Sequence, residues 1–94
     1  MMFDLSQWDG RPLSLANGRR LQWEPAQKSH VLLYPEGMVQ LNETSAMILG
    51  LCDGKRTRDQ LIAELLQRFP GADLAADVNE FLAIAAERGW ISGA

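Results

Sequence analysis

The sequence predicts an α+β domain in which a three-stranded antiparallel sheet is followed by three helices. Residues 20–41 contain short apolar runs separated by turn residues, which is typical of antiparallel strands. Residues 43–89 instead carry apolar side chains at helical spacing, with capping signals where helices would begin. Because the two patterns occupy separate parts of the chain, they favour an α+β fold over alternating strands and helices.

The composition is that of one small globular domain. The 94 residues are 47% hydrophobic and carry a formal net charge of -3, which gives no general attraction to nucleic acid or anionic lipid. A single cysteine, Cys52, excludes an internal disulfide, and a single histidine, His30, leaves no zinc-site spacing. We therefore expect no metal and no cofactor. Without a signal-like start or a long apolar run, we also expect a cytoplasmic protein with no membrane partner.

Residues 1–18 are predicted to form an N-terminal arm ahead of a domain at residues 19–94. The segment mixes Phe3, Leu5 and Trp8 with Asp, Gly and Pro, and it shows neither a helical nor a strand period. Its large apolar residues favour packing on its own domain or on the partner subunit of a homodimer. A flexible, frayed terminus is the alternative.

Three strands are predicted between residues 20 and 41. "RLQWE" alternates apolar and polar residues, whereas "HVLLYP" is apolar on both faces and needs cover on both. Tyr34–Gly37 suits a type I turn, with proline and glycine at the preferred positions. "MVQLN" then returns antiparallel, with Val39 and Leu41 facing inward. This last strand ends the predicted sheet, and an exposed strand edge recruits other chains.

The first two helices have recognisable starts. Helix one is predicted at residues 43–53 with Asn42 as its N-cap, and "DGKR" is predicted to end it. Helix two begins with a capping box formed by Thr57 and Gln60 and stops at residues 70–71, which are Pro and Gly.

The third helix is predicted to run from an Asp73 cap to Gly89, with Trp90 folding back on the last turn. Three strands followed by three helices outline a winged-helix-like domain, which raises a DNA-binding regulator as the alternative function. The helix that would enter the DNA groove carries Asp73, Asp77, Glu80 and Glu87 against one base, Arg88. These charges repel phosphate, so DNA binding is disfavoured and no nucleic-acid partner is expected.

No pattern predicts catalysis. Cys52 and His30 are the only nucleophile and base that could pair, and they would have to meet inside the core. The sequence has no glycine-rich phosphate loop. The remaining feature is an apolar strand at a sheet edge, which suits the addition of an extended peptide as an extra strand. Capping of that edge by the arm or a second subunit is the alternative, and the pattern alone leaves both open.

Three segments resemble the PqqD family, small proteins of pyrroloquinoline quinone biosynthesis. They lie within residues 20–91 and read "LLYPEGMVQLNETSAMILGLCDGKRT", "RFPGADLAADVNEFL" and "ERGWI". The resemblance implies a non-enzymatic peptide chaperone that contains the recognition element shared by many systems modifying ribosomal peptides (RiPP recognition element). Such a protein would bind the precursor peptide PqqA and present it to the radical S-adenosylmethionine enzyme PqqE, which cross-links a Glu and a Tyr in PqqA.

The resemblance also implies where the peptide binds. In that family the leader peptide adds a strand beside the third strand and lies against the third helix. The corresponding edge of this chain is Met38, Val39, Gln40 and Leu41, and the corresponding helix wall is Val78, Phe81, Leu82 and Ala85. The edge is therefore expected to be left free for a peptide.

Overall fold

A computed structural model describes residues 2–93. After a short 3-10 helix at Leu5–Trp8, the elements in chain order are β1 (Leu13–Leu15), β2 (Arg20–Glu24), β3 (Ser29–Tyr34), β4 (Gly37–Leu41), α1 (Glu43–Gly50), β5 (Asp53–Arg56), α2 (Arg58–Arg68), α3 (Ala75–Glu87) and β6 (Ile91–Gly93). The predicted α+β class and its three helices are confirmed.

The first sheet consists of the three strands that the sequence predicts. Its order is β2-β3-β4, and both pairs are antiparallel, with Leu21 opposite Leu32 and Leu32 opposite Val39. Tyr34 pairs with Gly37, so the chain reverses where the turn is predicted. This sheet is local in sequence, because each strand pairs with the next one along the chain.

The prediction of a single sheet was wrong, because three further strands form a second sheet in the order β5-β1-β6. In its centre, Leu13 is paired with Arg56 on one side and Gly93 on the other. The first helix accordingly ends at Gly50 rather than at residue 53, and "DGKR" is strand β5 rather than a helix-ending turn. Pairing with β1 is the physical reason, since the Leu15 N–H donates to the Cys52 carbonyl at 3.2 Å.

The described part of the predicted arm packs on its own domain. Leu5 and Leu13 are buried in the same hydrophobic cluster as the helices. Asp9 accepts a 2.6 Å hydrogen bond from Arg58, the first residue of α2, within an exposed ion pair. A domain boundary at residue 18 stays a prediction, and the outermost residues of both predicted segments, residues 1 and 94, lie outside the described part.

Strand β3 is covered on both faces. Leu32 belongs to the main hydrophobic cluster, which the helices share. Val31 lies on the opposite face and is also fully buried, between its register neighbours Gln22 and Gln40. The burial of Val31 therefore needs no partner subunit.

The predicted starts of the first two helices are confirmed. The Asn42 side chain accepts a hydrogen bond from the Ser45 N–H at 2.7 Å. The Thr57 hydroxyl accepts from the Gln60 N–H at 3.3 Å, and the Gln60 side chain accepts from the Thr57 N–H at 2.9 Å. Each cap satisfies amide groups that lack a partner inside their own helix.

The two ends of α3 differ in how well the sequence predicts them. The predicted Asp73 cap is wrong, because the N-cap residue is Leu74 and no side chain caps this end. At the other end, the backbone N–H of Trp90 donates to the Ala85 carbonyl at 2.8 Å. Gly89, with a φ of 76°, takes the left-handed position. This is the predicted Schellman ending.

Candidate functional site

The four predicted edge residues lie on β4, at one edge of the first sheet. Within residues 2–93, the sheet order gives β4 one paired neighbour, β3. Met38 is 50% exposed and Gln40 is also exposed on the outer face, whereas Val39 is half-buried and Leu41 buried on the inner face. About half of the backbone N–H and C=O groups of an edge strand point away from its neighbour, so they are available to another strand.

The two edges of this sheet differ in charge. Strand β2 has a charged residue at each end, Arg20 and Glu24, and charged side chains are a common protection against added strands. Strand β4 carries no charged residue between Gly37 and Leu41. The unprotected edge is therefore the one that the sequence singles out.

The predicted helix wall lies mostly in the core. Val78, Leu82 and Ala85 are buried members of the hydrophobic cluster, while Phe81 is half-buried at its margin. The Phe81 ring lies 6.5 Å from the Trp90 ring, centre to centre. Of the four, Phe81 is thus the side chain with appreciable surface of its own.

An apolar cavity of about 270 Å³ opens where the three helices meet. Its walls include Met47 and Ile48 of α1, Leu65 of α2, Phe69 directly after α2, and Val78 of α3. Val78 is the predicted site residue among them. The sequence does not predict this cavity, because its walls come from three helices whose mutual packing no local pattern specifies.

One wall of the cavity is close in sequence to the end of the free edge. Thr44, another wall residue, lies three positions after Leu41, the last residue of β4. An extended chain advances about 3.3 Å per residue, so a peptide paired with β4 needs only about three more residues to span that interval.

The two candidate catalytic residues have structural roles. Cys52 is buried, and burial raises the pKa of its thiol to about 12, so the reactive thiolate is absent at neutral pH. Its Sγ donates to the Ile48 carbonyl at 3.4 Å. The His30 ring packs edge-on against Trp23, with ring centres 5.1 Å apart. A buried thiol and a surface-packed imidazole supply no activated nucleophile.

Residues 2–93 contain no cluster of three or more His, Cys, Asp or Glu side chains arranged to hold a metal ion. Over the same residues, no helix is both long enough and apolar enough to span a membrane.

Two solved structures share this fold. The heterocyclase TruD matches with a TM-score of 0.68 at 22% identity, covering 89% of this chain and 12% of TruD. The PqqD truncation of Methylobacterium extorquens PqqCD, described as a functional, stand-alone RiPP recognition element, matches with a TM-score of 0.70 at 29% identity. That match covers 85% of this chain and 87% of the truncation. The fold is therefore the α+β fold found in this class of recognition element.

Sequence comparison defines the family. The family model for coenzyme PQQ synthesis protein D (PqqD) matches residues 29–91. The PqqA binding protein of Azotobacter vinelandii is 56% identical over 78 residues, covering 82% of this chain and 85% of the relative. The PqqA binding protein of Klebsiella pneumoniae (strain 342) is 54% identical over 81 residues, covering 85% and 88%. This chain belongs to the PqqD family, as its sequence motifs indicate.

Proposed function

We propose that this protein binds the ribosomally made precursor peptide PqqA as an extended strand along the free edge of β4. The observation that carries the proposal is the uncharged, unpaired edge at Gly37–Leu41 in a chain whose relatives are named PqqA binding proteins. An incoming strand satisfies its own backbone groups on this edge, so pairing itself does not depend on the peptide's side chains.

Backbone pairing alone does not hold such a peptide. About five new hydrogen bonds at about 1 kcal/mol each contribute about 5 kcal/mol. Ordering five peptide residues costs about 5–10 kcal/mol of backbone entropy. Apolar side chains must therefore supply the surplus, at about 25 cal/mol for each Å² that they bury.

The apolar contacts are proposed to come from α3 and from the cavity beside it. Phe81 presents its partly exposed ring to the peptide, and Val78 is reached through the cavity. Leu82 and Ala85 act from the core, where they hold the helix in position. Side chains alternate between the two faces of a strand. Met38 and Gln40 therefore contact the peptide side chains on the outer face, and Val39 and Leu41 contact those on the inner face.

The protein acts as a non-enzymatic chaperone in this proposal. It presents bound PqqA in the cytoplasm to the radical S-adenosylmethionine enzyme PqqE, and the modification chemistry belongs to PqqE. The homodimer that the sequence also predicts would compete with the peptide if it used the same edge. Sedimentation equilibrium with and without peptide tests this, because a peptide that shares the edge must shift the association toward monomer.

Alternate N-methylation of the peptide tests the pairing. Two PqqA variants carry backbone N-methyl groups at odd or at even positions of the bound segment. In a paired strand, one set of N–H groups points to β4 and the other to solvent, so one variant must lose binding while the other keeps it. Equal affinity of both variants, measured by calorimetric titration, would contradict strand addition.

No observation favours the DNA-binding alternative. The acids Asp77, Glu80 and Glu87 of α3 are all exposed, so the helix keeps the charge that repels a duplex.

A further inference from the structure

The cavity between the three helices has the size and the walls of a site for one large apolar side chain. Its volume is about 270 Å³. A cavity of about 150 Å³ lined by aliphatic and aromatic side chains is large enough to hold benzene, and it stays free of water. Of the described wall residues, Thr44 alone has a polar side chain. Water needs several polar partners, so these walls favour an apolar occupant over water.

The cavity has both exposed and buried walls. Phe69 is 44% exposed, and Thr44 is exposed as well. Ile48, Leu65 and Val78 are buried. A group that enters from solvent along the exposed walls therefore reaches buried apolar surface without a rearrangement of the core.

A peptide strand on β4 ends close to this cavity. Leu41, the last residue of β4, and Thr44 are three residues apart, so their Cα atoms are separated by at most about 11 Å. An extended peptide covers this interval with about three residues. One peptide can therefore occupy the edge and the cavity together.

The cavity supplies the apolar burial that strand pairing lacks. Hydrogen bonds to β4 do no more than offset the entropy lost by the ordered peptide. Full burial of a Leu, Ile or Phe side chain raises affinity about 10- to 150-fold. A Lys or Arg side chain would lose its hydration there without gaining an ionic partner, because none of the described wall residues is charged. The walls therefore select an apolar side chain.

We propose that PqqA carries one large apolar anchor side chain and that the cavity between the three helices binds it. The anchor lies within about three or four residues of the segment paired with β4, at the end beside Leu41. This inference rests on the proposed function and adds the chemical class and the spacing of the side chain that the site selects. The small side chain of Ala72 leaves room for the anchor among the cavity walls.

Benzene tests whether the cavity accepts an apolar group. In NMR titrations of the full-length, unaltered protein, benzene should shift the methyl resonances of Met47, Ile48 and Val78, which line the cavity. Saturating PqqA should remove these shifts, because the anchor and benzene compete for the same space.

Two protein variants test the contribution of the cavity to binding. Ala72→Phe fills the cavity from within the protein. The control Ala63→Phe makes the same chemical change at an exposed position of α2. We expect Ala72→Phe to bind no benzene and to bind PqqA about 10- to 150-fold more weakly, and the control to bind both as the unaltered protein does. Thermal melts establish that each variant is folded.

Alanine replacements in PqqA identify the anchor. Each large apolar residue of the peptide is replaced in turn, and each peptide is titrated into the unaltered protein and into Ala72→Phe. Replacement of the anchor should weaken binding to the unaltered protein but have no further effect on Ala72→Phe. The same replaced peptide should leave benzene bound in the cavity of the unaltered protein.

The outcomes separate this inference from the proposed function. If PqqA binds the unaltered protein but benzene stays bound, or if PqqA binds Ala72→Phe and Ala63→Phe equally well, the anchor is wrong and strand addition stands. The anchor is equally wrong if benzene shifts no methyl resonance of the cavity. If PqqA does not bind the folded, unaltered protein while benzene does, the proposed function fails and the inference fails with it.

Discussion

Leu82→Ala should cost stability rather than act on binding, because Leu82 lies in the core. Its side chain is fully buried at 0% exposure, within the cluster that includes Val78 and Ala85. Truncation of a buried leucine removes transfer free energy and leaves a cavity, and such changes cost about 3–5 kcal/mol. A domain of this length has a free energy of unfolding of about 5–14 kcal/mol, so the variant loses a large fraction of it.

Chemical denaturation followed by circular dichroism measures this loss. The matched control is Leu66→Ala, the same chemical change on a neighbouring helix at a side chain that is 39% exposed. The control should cost under about 1 kcal/mol, the scale of ordinary surface substitutions. In thermal melts, the melting temperature of Leu82→Ala should fall by at least about 12 °C, because 1 kcal/mol shifts the melting temperature of a domain this small by about 4–8 °C.

Equal losses for Leu82→Ala and Leu66→Ala would refute the placement of Leu82 in the core. Leu82 would then be a side chain that the peptide can reach, and the binding wall would extend further around α3 than the half-buried Phe81.

Three further expectations follow from individual contacts. Phe81→Ala should weaken PqqA binding in titrations while the protein stays folded. Phe3→Ala, which also truncates a half-buried ring tilted against a tryptophan ring, should leave the affinity unchanged. Asn42→Ala should lower the free energy of unfolding by about 0.5–2 kcal/mol in urea titrations, because the Ser45 amide loses its cap. Because the folded-state pKa of Cys52 is raised to about 12, its contribution to stability is intact below about pH 9 and is lost from there to about pH 12. The loss is up to about 1.4 kcal/mol per pH unit, and a Cys52→Ala variant should lack it in urea titrations across that range.

The elements that the sequence predicts well are those whose information is local. The hairpin turn at Tyr34–Gly37, the Asn42 cap and the Schellman ending at Gly89 each depend on residues a few positions apart. The second sheet depends instead on contacts between distant parts of the sequence, because β1 pairs with strands that begin at Asp53 and Ile91. Strands of three or four residues show no usable period, and "DGKR" is typical of a turn, so only tertiary pairing makes them strands.

The candidate site was predictable to a similar degree. The free edge follows from the position of β4 as the last strand of a local sheet, and the family resemblance supplied its proposed role. Helical spacing put Val78, Phe81, Leu82 and Ala85 on one stripe, but spacing does not tell which part of a stripe remains at the surface. That depends on what packs against it, and the segment at Leu5–Trp8 packs close to α3.

Hydrogen exchange of the β4 amides tests the central claim most directly. In the free protein, the amides of Met38–Leu41 that point away from β3 should exchange quickly, and saturating PqqA should protect them. The amides of β2, at the other edge of the same sheet, should keep their exchange rates and serve as the internal control. Protection at β2 instead, or saturable binding with no protection on β4, would contradict the account.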